Sequence, residues 1–171
     1  MNVLHPWHLA SLPTDVVHPR YDRAALRGGI VHLGAGAFQR AHLAVIAEAT
    51  IHRTGDLRWG IVGVSLRRAE TCDALRPQAQ LYTVSIRDAD DSGRLRETLQ
   101  VIGNLIDILV ASENPLTVIE RIAHPDTRIV SLTVTEKGYC HDPASGTLRF
   151  DHPDVAHDFI HAQAPRGVHL H

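Results

Sequence analysis

The chain has 171 residues, which allows one domain of ordinary size with a core of normal proportions. Hydrophobic residues make up 44% and charged residues 21%, the balance of a globular protein and not of a disordered tail. A formal charge of −2 gives no electrostatic footprint for nucleic acid or an anionic membrane.

Residues 1–28 are rich in His, Pro and Arg, show no period, and read as an extended arm. Their opening lacks the basic and apolar regions of a secretory signal. Residues 29–33 (GIVHL) are short and β-branched and run into Gly34, Ala35 and Gly36, which predicts a strand entering a tight turn. Apolar residues from 38 to 53 fit a helix with one buried face, broken by Gly55 and Asp56. Residues 59–66 (WGIVGVSL) predict a second strand, and 67–75 a polar helix ended by Pro77. Residues 81–87 and 99–103 read as a hairpin around the turn chemistry of 88–94. Pro115 opens a helix to residue 123, and 128–133 form another buried strand before a polar stop at residues 135–138.

This order predicts an α/β fold, Rossmann-like and doubly wound, with a mostly parallel sheet and a β-hairpin excursion. Four or five strands are visible where that fold has six, so the sheet is expected to be incomplete on its C-terminal side. Cys72 and Cys140 follow no paired spacing, and no window approaches eighteen consecutive apolar residues. The expectation is a reduced cytoplasmic protein that spans no membrane.

The glycine turn carries the chemistry. Gly34 permits the tight bend, and Gly36 removes the Cβ that would hold a pyrophosphate off the backbone. Phosphates can then meet the N–H groups opening the following helix, with Arg40 one turn further on. The third glycine of G-x-G-x-x-G is replaced by Gln39, so the triplet alone also fits a strand-to-helix turn that binds nothing.

The stretch from Ile30 to His42 (IVHLGAGAFQRAH) resembles the fingerprint of the long-chain mannitol dehydrogenase family, G-x-G-x-F-H-R-A-H, departing only at Gln39. A second stretch, residues 129–140 (IVSLTVTEKGYC), resembles that family's second signature, and its Glu-Lys-Gly-Tyr form is similar to the fructuronate reductase (mannonate oxidoreductase) branch. The resemblance covers roughly residues 20–165. It implies a nucleotide-binding domain over 29–165 behind the 1–28 arm, with a divergent tail at 166–171.

By this resemblance Gly34, Gly36, Ala37, Phe38, Gln39 and Arg40 form the cofactor turn. Glu70, after the second strand, is the candidate for the adenosine ribose hydroxyls, against the reading of an ordinary solvated helix acid. Arg67 and Arg68 beside it suit a 2′-phosphate, so NAD is favoured with NADP as the alternative. Thr135 and Glu136, at a strand's carboxyl end, are expected to line the nicotinamide side. No metal is expected: His157 and His161 are spaced i, i+4, and His169 and His171 flank Leu170, but no third ligand follows.

The implied activity interconverts a sugar acid or polyol and its ketose, fructuronate/mannonate favoured and mannitol-type the alternative. A non-catalytic nucleotide-binding or interaction fragment, self-associating through an open sheet edge, is the third reading. The family's catalytic pattern is K-x-x-x-x-N-x-x-H. Lys137 is the only lysine, and Asp142 and Ser145 stand where that pattern needs Asn and His. The isolated chain is expected to be inactive, as a truncation or a frame change near Pro165 would explain.

Overall fold

The computed structural model describes residues 3–134 and 136–162. The chain divides into two units, Met1–Thr133 and Val134–His171.

In the first unit four strands form one parallel sheet. They are β1 (Ile30–Leu33), β2 (Ile61–Ser65), β5 (Leu105–Val110) and β6 (Ile129–Leu132), in the spatial order β5-β2-β1-β6. Pairing is in register between β1 and both neighbours, Ile30 lying beside Ile61 on one side and Ile129 on the other. Counting only these parallel strands in chain order, the arrangement is 3-2-1-4, the first part of the doubly wound dinucleotide order. The direction of winding reverses between β1 and β6.

Helices cover both faces, which is why β1 and β2 are continuous apolar runs and not alternating ones. On one face Ile30, Ile61, Leu105 and Ile108 pack with Ala44 and Ala47 of α2 (Leu43–Thr54) and with Cys72 and Leu75 of α3 (Glu70–Leu75). On the other, Val31 and Val64 pack with Val118 of α4 (Pro115–Ala123). Asn114 caps α4 by accepting from the Thr117 N–H, with Pro115 at its first position.

The helix expected over 38–53 is divided into α1 (Ala37–Ala41) and α2, with His42 between them at φ −121° and ψ −74°. A tertiary contact accounts for the break. The Tyr82 hydroxyl donates to the Arg40 carbonyl at 2.8 Å, taking the acceptor that a continuous helix would offer to Ala44. At the far end Gly55 adopts a left-handed cap.

The hairpin excursion is β3 (Tyr82–Ala89) with β4 (Leu95–Ile102), longer than the patterning predicts, so that the turn shrinks to 90–94. Pattern reading assigns no strand to Leu105–Val110, where the structure has β5. Asp107 interrupts that short run, and only pairing with β2 on a buried sheet decides its state. Residues 128–133 are expected to be buried, yet β6 is exposed: Ile129, Val130 and Leu132 are 44%, 45% and 57% accessible. Among the described residues β6 pairs on one side only, with β1.

The arm folds onto the domain. Leu9 packs with Leu81 and Val101, and the Val17 N–H donates to the Leu99 carbonyl at 3.0 Å. Arm, helix and sheet meet at Glu48, a fully buried carboxylate on α2. It accepts from the Tyr21 hydroxyl at 2.8 Å and from the N–H groups of Gly103 and Asn104 at 3.0 and 2.9 Å. His52 Nε2 lies 3.3 Å away.

In the second unit a 3₁₀ turn (Glu136–Tyr139) precedes a bridge between His141 and Leu148 and the helix α5 (Pro153–His161). Phe150 packs edge-on to Phe159 of that helix, at 6.0 Å between centroids. No helix among the described residues is long and apolar enough to cross a membrane.

Replacing Glu48 by Ala leaves two buried backbone donors and the Tyr21 hydroxyl without their acceptor. The expected loss of unfolding free energy is ~3 kcal/mol. Urea denaturation of the purified chain measures it, and a loss near that of an exposed glutamate, such as Glu113→Ala, would refute the assigned role.

Candidate functional site

The carboxyl ends of β1 and β6 lie side by side at the reversal of winding, where open α/β sheets hold their ligands. The glycine bend lies there. Gly34 has φ +107°, a conformation closed to residues with a side chain. The Gly34 and Ala35 N–H groups both donate to the Val64 carbonyl, at 2.8 and 3.1 Å, tying the bend to β2. Ala35 is buried, and a Cβ on Gly63 would stand 3.0 Å from the Ala35 Cβ. A bare Gly63 thus lets the bend lie close against the sheet, a contact that sequence spacing does not show.

The space over the bend is open. A Cβ on Gly36 would meet nothing nearer than the Gly34 carbonyl at 4.0 Å, and one on Gly34 nothing nearer than the Thr133 Cβ at 4.0 Å. Gly36 is extended and caps α1. The amides of Ala37, Phe38 and Gln39 lie ahead of the first helical bond, in which the Arg40 N–H donates to the Gly36 carbonyl at 3.2 Å. The residues present therefore fit a diphosphate: bare backbone, amides ahead of the first helical bond and a nearby cation.

Phe38 is 64% exposed, with its ring centroid 4.5 Å from that of His42. Gln39 points inward and is buried, with neither amide atom partnered among the described residues. Arg40 stays beside the bend. Its Nε donates to the Gly36 carbonyl at 3.3 Å, and its guanidinium lies 5.8 Å from the Tyr82 ring centroid.

Glu70 opens α3 just beyond the end of β2 and is exposed, 3.6 Å from Arg68 Nη1. The acid and the base invoked for the two cofactors are thus a surface ion pair. Thr135 lies outside the described residues, and the structure describes only the backbone of Glu136, in a 3₁₀ turn of the second unit. In α5 the rings of His157 and His161 stack at 4.1 Å, and His161 Nδ1 contacts the His157 carbonyl at 2.7 Å. No group of three or more His, Cys, Asp or Glu able to hold a metal occurs among the described residues, and His169 and His171 fall outside them.

One polar cluster at this edge escapes sequence patterning. His32, buried within β1, places Nδ1 2.9 Å from the Ser131 hydroxyl and Nε2 3.1 Å from the Thr133 hydroxyl, both offered by the chain of β6. Burial holds its pKa below the ordinary histidine value, so the ring is neutral.

Residues 28–166 match the mannitol dehydrogenase Rossmann domain. The chain is 42% identical over 167 residues to a mannitol 2-dehydrogenase of Pyrenophora tritici-repentis, an alignment covering 96% of this chain and 28% of that protein. The structure of Pseudomonas fluorescens mannitol 2-dehydrogenase, a ternary complex with NAD and D-mannitol, superposes with a TM-score of 0.78 at 37% identity, over 96% of this chain and 33% of that one. A D-sorbitol dehydrogenase in substrate-free form gives 0.76 at 32% identity, over 95% of this chain and 33% of that one. The chain thus spans about a third of the length of these relatives.

Neutral burial of His32 has a pH consequence. The unfolded ring takes up a proton near pH 6.5 while the folded ring resists it. Stability is therefore full above that pH and falls as pH drops below it. Urea midpoints at pH 7.5 and 5.5 test this: the fall should be smaller in His32→Gln, and an equal fall would count against a buried neutral ring.

Proposed function

The chain belongs to the mannitol dehydrogenase family, and on that premise we propose that residues 29–165 are the NAD-binding part of an oxidoreductase acting on the CH–OH group of a polyol. The open bend at Gly34 and Gly36, set where the sheet reverses its winding, is the observation that carries the reading. The pyrophosphate rests on the backbone of Gly34 and Gly36 and on the amides of Ala37, Phe38 and Gln39, with Arg40 as its cation. Glu70 holds the adenosine ribose hydroxyls, and Thr135 and Glu136 belong to the nicotinamide side. When bound, the cofactor supplies the acceptor for the hydride leaving the CH–OH carbon; this chain's residues bind and orient it.

NAD is preferred over NADP. The exposed Arg68 is already paired with Glu70, and the similar P. fluorescens structure holds NAD. Relatives named mannitol 2-dehydrogenase support a polyol and its ketose as the substrate pair. The fructuronate/mannonate preference drawn from residues 136–139 has no such support and gives way to the polyol reading. Neither cysteine is in a disulfide, consistent with a reducing, cytoplasmic setting.

A second reading concerns the surface. The one-sided pairing and exposed apolar side chains of β6 favour self-association through this edge.

Gly36→Ala separates binding from folding. The added methyl meets nothing in the fold, so the melting temperature should stay within about 2 °C, a surface-sized effect. The same methyl stands where the diphosphate must approach, and calorimetric NAD affinity should fall at least ~10-fold. Undiminished affinity would remove the bend from the site. The unsubstituted chain should bind NAD yet show no NAD reduction with mannitol, and steady turnover would overturn the assignment of a binding part alone. Analytical ultracentrifugation should show concentration-dependent association that Val130→Lys abolishes, and a monomer at every concentration would dismiss the edge reading.

A further inference from the structure

We propose that His32 is a positioning residue of the nucleotide site, holding the Thr133 hydroxyl at the carboxyl end of β6 as a hydrogen-bonding group for the ribose on the non-adenosine side of the dinucleotide. The inference rests on the nucleotide reading of the glycine bend and adds to it a group from the fourth parallel strand.

Placement comes first. Thr133 follows directly on β6, and its Cβ stands 4.0 Å from where a Cβ on Gly34 would lie. It therefore flanks the bend on the side away from β2 and from Glu70. A dinucleotide with its diphosphate over Gly34 and Gly36 and its adenosine toward β2 must carry its other ribose across β1 toward β6, because the two halves occupy opposite sides of the winding reversal. Thr133 is exposed, so it stands at the surface of this edge.

The chemistry points to a ribose. A neutral imidazole has one N–H and one acceptor nitrogen. Its two nitrogens are engaged by two hydroxyls, at 2.9 and 3.1 Å. In one tautomer Thr133 donates to the ring and offers lone pairs outward. In the other it accepts from the ring and offers its O–H outward. A phosphate oxygen at neutral pH only accepts and suits one tautomer, whereas a ribose hydroxyl both donates and accepts and suits both. His32 itself is 4% exposed and too deep to touch the ligand, so it acts through Thr133.

Calorimetric titration of the whole chain with NAD and, separately, ADP tests this, since ADP lacks the second ribose. Thr133→Val keeps the side-chain shape and removes the hydroxyl; it should weaken NAD about 3- to 10-fold and leave ADP within about twofold. The two amide replacements of His32 divide its bonds. The Gln amide reaches the Nε2 position beside Thr133, and the Asn amide reaches only the Nδ1 position beside Ser131. His32→Gln should retain NAD affinity within about twofold, and His32→Asn should lose it as Thr133→Val does. The His32→Asn, Thr133→Val double variant should be no weaker than either single one. A clamp that merely joins two strands predicts no such ordering and weakens ADP as well.

NAD binding by Thr133→Val equal to the unsubstituted chain, or equal losses for NAD and ADP, overturns the inference while the nucleotide reading stands. Failure of the unsubstituted chain to bind either nucleotide overturns the reading, and the inference with it. Should a His32 variant fail to fold, Thr133→Val, an exposed and isosteric change, still overturns the inference if its NAD affinity is unchanged.

Discussion

The domain depends on how closely the backbone after β1 can lie against the sheet. Two N–H groups of the bend converge on one carbonyl of β2, the preceding glycine takes a conformation denied to other residues, and Ala35 occupies the space left by the missing Cβ of Gly63. These three contacts lower the bend onto the strand ends. Only a bend seated there leaves Gly36 facing outward with nothing over it and starts α1 at the reversal of winding. The register of β1 against β2, with Leu33 beside Val64, is what brings the acceptor carbonyl to the right place.

A second constraint works from the opposite edge of the sheet. Glu48 is a charge sealed from solvent, and such a charge is tolerated only when its oxygens are hydrogen-bonded. Its partners come from the arm through Tyr21 and from the entry to β5 through Gly103 and Asn104, while Asn104 Nδ2 donates to the Ala44 carbonyl at 2.8 Å. The polar network thus fixes where β5 starts and how α2 lies over the sheet. Arg23 extends the bracing, donating to the carbonyls of Gly103 and Ala79 at 2.8 and 2.7 Å. The arm contributes to the domain's interior and is not a mere lead-in.

The two edges divide the labour. Around Glu48 polar groups are buried and, apart from Asn104 Oδ1, hydrogen-bonded, which rigidifies. At the carboxyl edge Gly36, Ala37, Phe38 and Thr133 are exposed and Arg40 is half-buried, which suits a ligand-binding surface. His32 stands between these regimes, buried like Glu48 yet bonded to a residue that reaches solvent. The similar mannitol and sorbitol dehydrogenase structures share this fold over about a third of their length.

The sequence by itself determined the α/β class, the places of β1, β2 and β6, the extent of α4, and the bend, because each is written in local chemistry: β-branched runs, Gly34 before a helix, Asn114 and Pro115 at a helix start. It also carried the motifs by which the family is legible. Only the tertiary structure decided the rest, mostly through partners distant along the chain and, for β6, through the lack of one among the described residues. The Tyr82 hydroxyl breaks the first helix at His42, pairing with β2 makes a strand of residues 105–110 despite Asp107, and the end of the sheet leaves β6 exposed where its composition reads as buried. Gly63 matters through Ala35, Gln39, the one departure from the fingerprint, lies buried, and His32 gains its role from Ser131 and Thr133, about a hundred residues away. Periodicity describes what one segment prefers, while hydrogen bonds and packing between segments choose among those preferences.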